Sequence, residues 1–161
     1  MVKFSARFIV SFSIISLLAF SCTSSPKEEQ SGNQSPESSK TTYPPLSNGE
    51  ITTLYSLAEK VDMIFYNLPM SVNQDDAASA KNTVLYVSPA PAIMDKPCKP
   101  LGRLSWIAQG AIIKEADVYV DTGCHYLIFM TDNQPVAANE LSESGVQFFN
   151  QIINQVQQRQ K

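Results

Sequence analysis

Few side chains in this sequence could do chemistry, and their spacing fits no catalytic motif. Cys98, Cys124 and His125 offer zinc ligands, but a fourth ligand is missing and adjacent strand residues point to opposite sides of a sheet. Redox-active cysteines normally form a Cys-x-x-Cys motif, whereas Cys98 and Cys124 are far apart. His125 is the sole histidine, and no Gly-x-Ser-x-Gly segment supplies a nucleophile for it to activate. We therefore predict no enzymatic activity, no metal and no cofactor.

An acidic cluster, Asp75 and Asp76, lies in residues 70–82, a stretch without a strong period that we predict to be a loop. Long ordered loops often carry function, so both aspartates are candidate binding residues. A calcium site would need more oxygen ligands than Asn73 and the two aspartates supply, and it would need a turn glycine. The interpretation we favour is that Asp76 caps a short alanine-rich turn beginning at Ala77.

The charge balance argues against nucleic acid as a partner. The 161-residue chain has 12 basic and 15 acidic side chains, a formal net charge of −3. Lys3 and Arg7 lie in a segment that we expect to be removed, which leaves 10 basic against 15 acidic side chains, a charge of −5. Phosphate binding needs a clustered basic surface. The local basic excess of Lys96, Lys99 and Arg103 is more simply a solubilising loop.

The N-terminus has the layout of a secretory signal. Lys3 and Arg7 precede an apolar run over residues 8–20, and Ser21 and Cys22 follow it. This run is too short to cross a bilayer comfortably as a helix. We predict that residues 1–21 are cleaved.

The segment of residues 18–22, Leu-Ala-Phe-Ser-Cys, resembles the lipobox of bacterial lipoproteins. Ala19 stands where the family usually has leucine. The resemblance implies that Cys22 is acylated with chains such as palmitate, which would hold the protein on a membrane. Thr23, in place of an aspartate, favours the outer membrane, facing the periplasm or the cell surface. The alternative is an ordinary signal peptide cut near Ser21, which would release a soluble periplasmic protein.

Assigning Cys22 to lipid leaves an even pair of cysteines in an exported chain, and we predict a disulfide between Cys98 and Cys124. Residues 22–46 contain the lipidated cysteine and a stretch rich in Ser, Pro and Glu, which we predict to be a disordered tether. Residues 47–161 then form a single domain.

Helical patterns begin and end this domain. Ser47 and Glu50 have the spacing of a capping box, and apolar residues recur every three or four positions as far as Leu68, before Pro69. This predicts an amphipathic helix over residues 48–68. Ser142 is a second expected N-cap, followed by an apolar stripe of Val146, Phe149, Ile153 and Val156.

Between the helices the composition predicts strands, with turns at Gln109-Gly110 and Thr122-Gly123. The predicted strands are residues 83–87, 104–108, 111–120 and 124–130. We therefore predict an α+β fold in which an antiparallel meander of about four strands is covered on one face by an N-terminal and a C-terminal helix.

The second turn fixes which strand residues are partners. A two-residue turn pairs Tyr119 with Tyr126 and Val118 with Leu127, whereas a three-residue turn shifts the pairing by one; we favour the shorter turn. Trp106, Tyr119 and Tyr126 are candidate binding residues, because an aromatic patch on the face away from the helices can stack on sugars or dock a partner. Ordinary cross-strand packing is the alternative.

Anchor, tether and disulfide together indicate a non-enzymatic envelope lipoprotein whose domain binds a protein or a glycan. A different class of function is also compatible with the sequence. The chain could be a small disulfide-stapled inhibitor of an exogenous hydrolase, acting through residues 70–82 or 96–103, or a periplasmic accessory subunit.

Overall fold

The computed structural model describes residues 43–159. The predicted signal peptide, Cys22 and most of the predicted tether lie outside the described residues. Within residues 43–159 the chain forms three helices and seven strands. In order these are α1 (Asn48–Leu57), β1 (Lys60–Phe65), β2 (Ser71–Gln74), α2 (Ala77–Val84), β3 (Val87–Pro91), β4 (Gly102–Ala108), β5 (Ala111–Asp121), β6 (Cys124–Thr131), β7 (Gln134–Leu141) and α3 (Glu143–Arg159).

The predicted α+β class with an antiparallel sheet is confirmed, but the predicted number of about four strands is wrong. The described residues form one seven-stranded antiparallel sheet in the order β2-β1-β4-β5-β6-β7-β3. Strands β4 to β7 are sequential neighbours and form the meander at its centre. Strand β7 was not expected, because its sequence, QPVAANEL, has few residues that favour strands.

The long N-terminal helix predicted over residues 48–68 is wrong beyond Leu57. Helix α1 begins as expected, since Ser47 Oγ accepts a hydrogen bond from Glu50 N and the Glu50 carboxylate accepts one from Ser47 N at 2.8 Å. Residues 60–65 instead form β1, which pairs with both β2 and β4. Buried residues alternate along it with a period of two: Val61, Met63 and Phe65.

The loop predicted over residues 70–82 is also wrong, because this stretch forms β2 and most of α2. Asp76 caps α2 as we favoured, its Oδ1 accepting a hydrogen bond from Ser79 N at 2.8 Å. Thr83 and Val84 belong to the last turn of this helix. The strand predicted over residues 83–87 therefore begins only at Val87.

Both predicted hairpin turns are confirmed. Gln109 and Gly110 adopt positive φ angles of 52° and 77° between β4 and β5. The β5–β6 turn is the shorter of the two alternatives, since Tyr119 pairs with Tyr126. Its Gly123 has a φ of 75°, in the left-handed region that glycine adopts without steric cost.

Helix α3 begins after Ser142, whose hydroxyl accepts a hydrogen bond from Gly145 N at 3.3 Å, as the predicted N-cap requires. It is also the longest helix among the described residues. No helix within residues 43–159 is long and apolar enough to cross a membrane.

The helices pack on one side of the sheet, where one hydrophobic core lies. Each helix contributes a buried residue to it: Leu54 of α1, Val84 of α2 and Phe149 of α3. The sheet contributes alternate residues of its strands, among them Val61, Leu104, Trp106, Val118, Leu127 and Phe129. The chain ahead of α1 also belongs to the domain, since Leu46, at the end of the predicted tether, is 4% exposed and donates from its N–H to Oδ1 of buried Asn139 at 2.8 Å.

Cys98 and Cys124 lie at disulfide-bonding distance, with their Cα atoms 6.6 Å apart, as predicted. Cys124 begins β6, and Cys98 lies in the segment of residues 92–101 that links β3 to β4. Lys96 of the same segment donates a hydrogen bond to the carbonyl oxygen of Thr122. The linking segment is therefore fastened to the β5–β6 turn at two points.

Candidate binding face

The sheet face opposite the helices is the candidate site. Because cross-strand partners point to the same side, the strand pairing defines its membership. We call this side the open face; it carries Asp62, Ile64, Arg103, Ser105, Glu115, Asp117, Tyr119 and Tyr126. It therefore combines carboxylates, a guanidinium and aromatic rings on a rigid sheet.

An ion pair between Arg103 and Asp117 lies at the centre of this face. The two residues are direct cross-strand partners, and Arg103 donates from Nε to Oδ1 at 2.8 Å and from Nη2 to Oδ2 at 3.2 Å. Their side chains are 22% and 13% exposed. The hydrogen bonds to Asp117 raise the pKa of Arg103 above its already high value. Two-point contact of this kind fixes both side chains in one orientation.

Tyr66, immediately after β1, extends the cluster. Its hydroxyl donates to Asp117 Oδ1 at 2.9 Å, while 47% of the residue remains exposed. Partial burial, and then the bond to the Asp117 carboxylate, raise the pKa of Tyr66. The phenol therefore stays neutral at physiological pH and presents an ordered ring to solvent.

Tyr119 and Tyr126 form a stacked pair beside this cluster. Their ring centroids lie 4.6 Å apart with an interplanar angle of 26°. Burial, and then the negative charge of Asp117, raise the pKa of Tyr119 to about 12. Burial raises the pKa of Tyr126 in the same direction, with a further contribution from Asp95. Tyr126 is only 4% exposed and Tyr119 is partly buried, so Tyr119 is the more accessible member of the pair.

A second polar row crosses β2, β1, β4 and β5. Asn73 donates a hydrogen bond to Asp62 Oδ1, and Ser105 Oγ donates to Glu115 Oε1 at 3.0 Å. These partners hold the carboxylates in place. The open face can thus donate and accept hydrogen bonds at fixed positions next to aromatic rings.

The five residues that the sequence marked as possible binding positions do not come together. Asp75 pairs with Lys60 at 3.3 Å, and Asp76 caps α2. Trp106 is 0% exposed in the core, where its indole N–H donates to Thr83 Oγ1 at 2.7 Å. Only Tyr119 and Tyr126 share the open face.

Three residues of the site, Tyr66, Arg103 and Asp117, were not singled out in the sequence as binding residues. Tyr66 falls within the helix predicted over residues 48–68, and the pairing of Arg103 with Asp117 is hidden by a β-bulge. Counted from the turn pair Ala108 and Ala111, Arg103 would face Ala116, but an extra residue in β5 shifts its partner to Asp117. A shift of one residue moves every side chain to the other face. The alternation of polar and apolar residues in β4 and β5 was the available signal.

Within the part of the chain that the structure describes, no three His, Cys, Asp or Glu side chains gather as metal ligands. No protein-family model, curated protein or solved structure matches the chain.

Proposed function

We propose that this chain is a lipid-anchored, non-enzymatic protein of the bacterial cell envelope whose domain binds a neutral oligosaccharide on the open face. The observation that carries the proposal is the ordered cluster of Tyr66, Arg103 and Asp117 beside the stacked Tyr119. It joins rings to hydrogen-bonding groups that are already held in position.

A sugar fits this chemistry because its hydroxyls donate and accept hydrogen bonds while its C–H groups form apolar patches. Carboxylates and a guanidinium bind hydroxyls through paired contacts, and a tyrosine ring offers an apolar face. Side chains that are already ordered lose less entropy on binding. The carboxylates of Asp62, Glu115 and Asp117 outweigh the charge of Arg103, which favours neutral over anionic sugars.

The envelope location is supported by the cysteines. A pair at disulfide-bonding distance fits an oxidising compartment outside the cytoplasm. The expected acylation of Cys22 and the expected tether would hold the domain at the outer membrane with room to move.

The sugar proposal predicts that Tyr66→Ala weakens oligosaccharide binding at least about tenfold, because it removes an exposed ring that the open face holds in place. Tyr55→Ala is the matched control, since Tyr55 is 41% exposed on α1. An array of neutral and anionic oligosaccharides would select the ligand, and calorimetry would measure both variants. An array without a neutral ligand, or equal losses in the two variants, would refute sugar binding here. Capture of a protein in a Tyr66-dependent manner would replace the sugar with a protein partner.

The anchor proposal predicts an intact mass in which the mature chain begins at an acylated Cys22. Cys22→Ser should then leave the membrane fraction, because the acyl chains supply the anchorage. An unmodified chain cut near Ser21 would instead establish the soluble periplasmic alternative. Digestion of whole cells with protease would distinguish the cell surface from the periplasm.

A second candidate, a hydrolase inhibitor, retains part of one of its two predicted loops. Residues 70–82 form regular structure, and the predicted stretch of residues 96–103 is a loop only as far as Leu101, because β4 begins at Gly102. The linking segment of residues 92–101, which begins before that stretch, is held at the β5–β6 turn and exposes 59% of Ile93. A rigid exposed loop is a suitable inhibitory element. Loss of inhibition in Ile93→Ala, with an unchanged melting temperature, would favour this function.

A further inference from the structure

A groove of about 450 Å³ lies between α1 and the first part of β5, away from the candidate binding face. This volume falls in the range of small-molecule sites. Its lining includes Glu50, Thr53, Leu54, Leu57, Ile113 and Lys114. None of these residues belongs to the open face or to the linking segment of residues 92–101.

The β-bulge in β5 shapes this groove. Trp106 pairs with Lys114 and Ile107 pairs with Ile112, so Ile113 is the extra residue. A bulge redirects side chains locally and often occurs next to functional sites. Here it brings the consecutive residues Ile113 and Lys114 into one cavity.

The charged groups of the groove differ in their availability. The Glu50 carboxylate is engaged, because Oε2 accepts hydrogen bonds from both N and Oγ of Ser47 at 2.8 Å. The backbone bond from Ser47, and to a lesser extent the charge of Lys114, lower the pKa of Glu50. Among the described residues, Lys114 Nζ has neither a hydrogen bond nor an ion pair. A ligand therefore meets one cation that is not already paired.

Polarity changes along the helix. Glu50 lies in the first turn of α1, whereas Leu54 and Leu57 lie further along the helix, and all three line the groove with Ile113 and Lys114. Glu50 and Leu57 are separated by about 10 Å at the rise of an α-helix. Leu54 is buried, whereas Leu57 is 50% exposed and offers apolar surface.

We propose that this groove binds a linear aliphatic carboxylate, with its carboxylate at Lys114 and its chain along Leu54, Leu57 and Ile113. The free ammonium complements the head group, and burial of the chain against the leucines supplies the apolar contribution. The bound ligand would lie with its head towards the start of α1.

The test is a calorimetric titration of decanoate into the mature chain carrying Cys22→Ser, which takes no acyl group. Decanoate should bind, and decanol and decyltrimethylammonium should bind at least about tenfold more weakly, because they lack the anionic head. Lys114→Met keeps most of the stem without the charge and should weaken decanoate at least about tenfold. Lys99→Met is the control lysine and should bind as the parent chain does. Leu57→Ser should also weaken binding.

Four results would each overturn the proposal. They are absence of decanoate binding below its micelle concentration, equal binding of decanoate and decanol, unchanged affinity in Lys114→Met, and tighter binding of decyltrimethylammonium than of decanoate. The last of these would show that Glu50 determines the ligand's charge. The ligand comparison needs no Lys114 variant, so a folding defect in that variant would leave the test intact.

Discussion

Asp117 is the residue on which the geometry of the open face depends. One carboxylate accepts hydrogen bonds from Arg103 at two nitrogens and from the Tyr66 hydroxyl. Arg103 also reaches Asn133 Oδ1 at 3.3 Å, in the turn between β6 and β7. The cluster therefore links β4 and β5 to residues on both sides of them, which makes a ligand's contacts with these side chains mutually dependent.

Tyr119 provides a test through pH. Its pKa is raised from 10 to about 12, so the folded protein holds this proton more tightly than the unfolded chain does. The associated stability is complete below pH 10 and is lost as the pH rises from 10 towards 12. Tyr119→Phe cannot ionise at this position and should lose less stability between about pH 9 and about pH 11.5 than the parent.

Urea unfolding at the two pH values measures this difference, with Tyr55→Phe as a control that should follow the parent. Equal losses in the parent and in Tyr119→Phe would show that the Tyr119 hydroxyl is not shielded by the sheet. The comparison between variants isolates Tyr119, because burial also raises the pKa of Tyr86 and Tyr126.

The features that the sequence predicted well are those formed between residues close together in the chain. The Ser47–Glu50 box and the Asp76 cap are each complete within four residues, so the pattern alone specifies them. The pairing of Arg103 with Asp117 could not be assigned in the same way. It depends on the bulge in β5, whose position is set by packing of the whole strand pair.

At the scale of elements, β1 shows why a helical period can mislead. Val61 and Phe65 are four residues apart, so they continue the apolar stripe of α1. They also fit a strand, in which they lie on one side and polar Asp62 lies on the other. Both periods fit this segment. Pairing with β2 and β4 decides between them, and β4 is far from β1 in the sequence.

Gly102 tests how closely β1 and β4 approach. A Cβ at this position would collide with the backbone oxygen of Ile64 and lie 3.0 Å from Phe65 Cα. Gly102→Ala should therefore lower the free energy of unfolding by about 2 to 3 kcal/mol, since the neighbouring backbone must move. Denaturant unfolding followed by circular dichroism measures the change.

Gly49→Ala is the matched substitution. A Cβ there meets only Ser47 Oγ at 3.8 Å, so α1 should gain about 0.5 to 1 kcal/mol from the reduced freedom of the unfolded chain. Two glycine-to-alanine changes of opposite sign would separate steric from entropic effects. Equal stability of Gly102→Ala and the parent would mean that β1 and β4 lie further apart than described.

For the whole molecule, the unusual connection is the one from β3 to β4. Strand β3 lies at one edge of the sheet, whereas β4 lies beyond β7, β6 and β5. The even number of cysteines left after Cys22 predicted the pairing of Cys98 with Cys124. It did not predict the order of the strands in the sheet. The linking segment of residues 92–101 meets the β5–β6 turn on its way, and there Cys98 and Lys96 fasten it.

Reduction of the Cys98–Cys124 pair should lower the free energy of unfolding by about 3 to 4 kcal/mol, the chain-entropy value for a loop of this length. The sheet should persist, because the antiparallel pairing of β4 to β7 involves no sulfur. Urea unfolding with and without dithiothreitol measures the loss, and the Cys98→Ser, Cys124→Ser chain should have the reduced stability under both conditions. Reductant-independent unfolding of the parent would show that the two thiols are not joined. Collapse of the sheet on reduction would show instead that the linking segment supports the fold as a whole, since its release would then expose more than the β5–β6 turn.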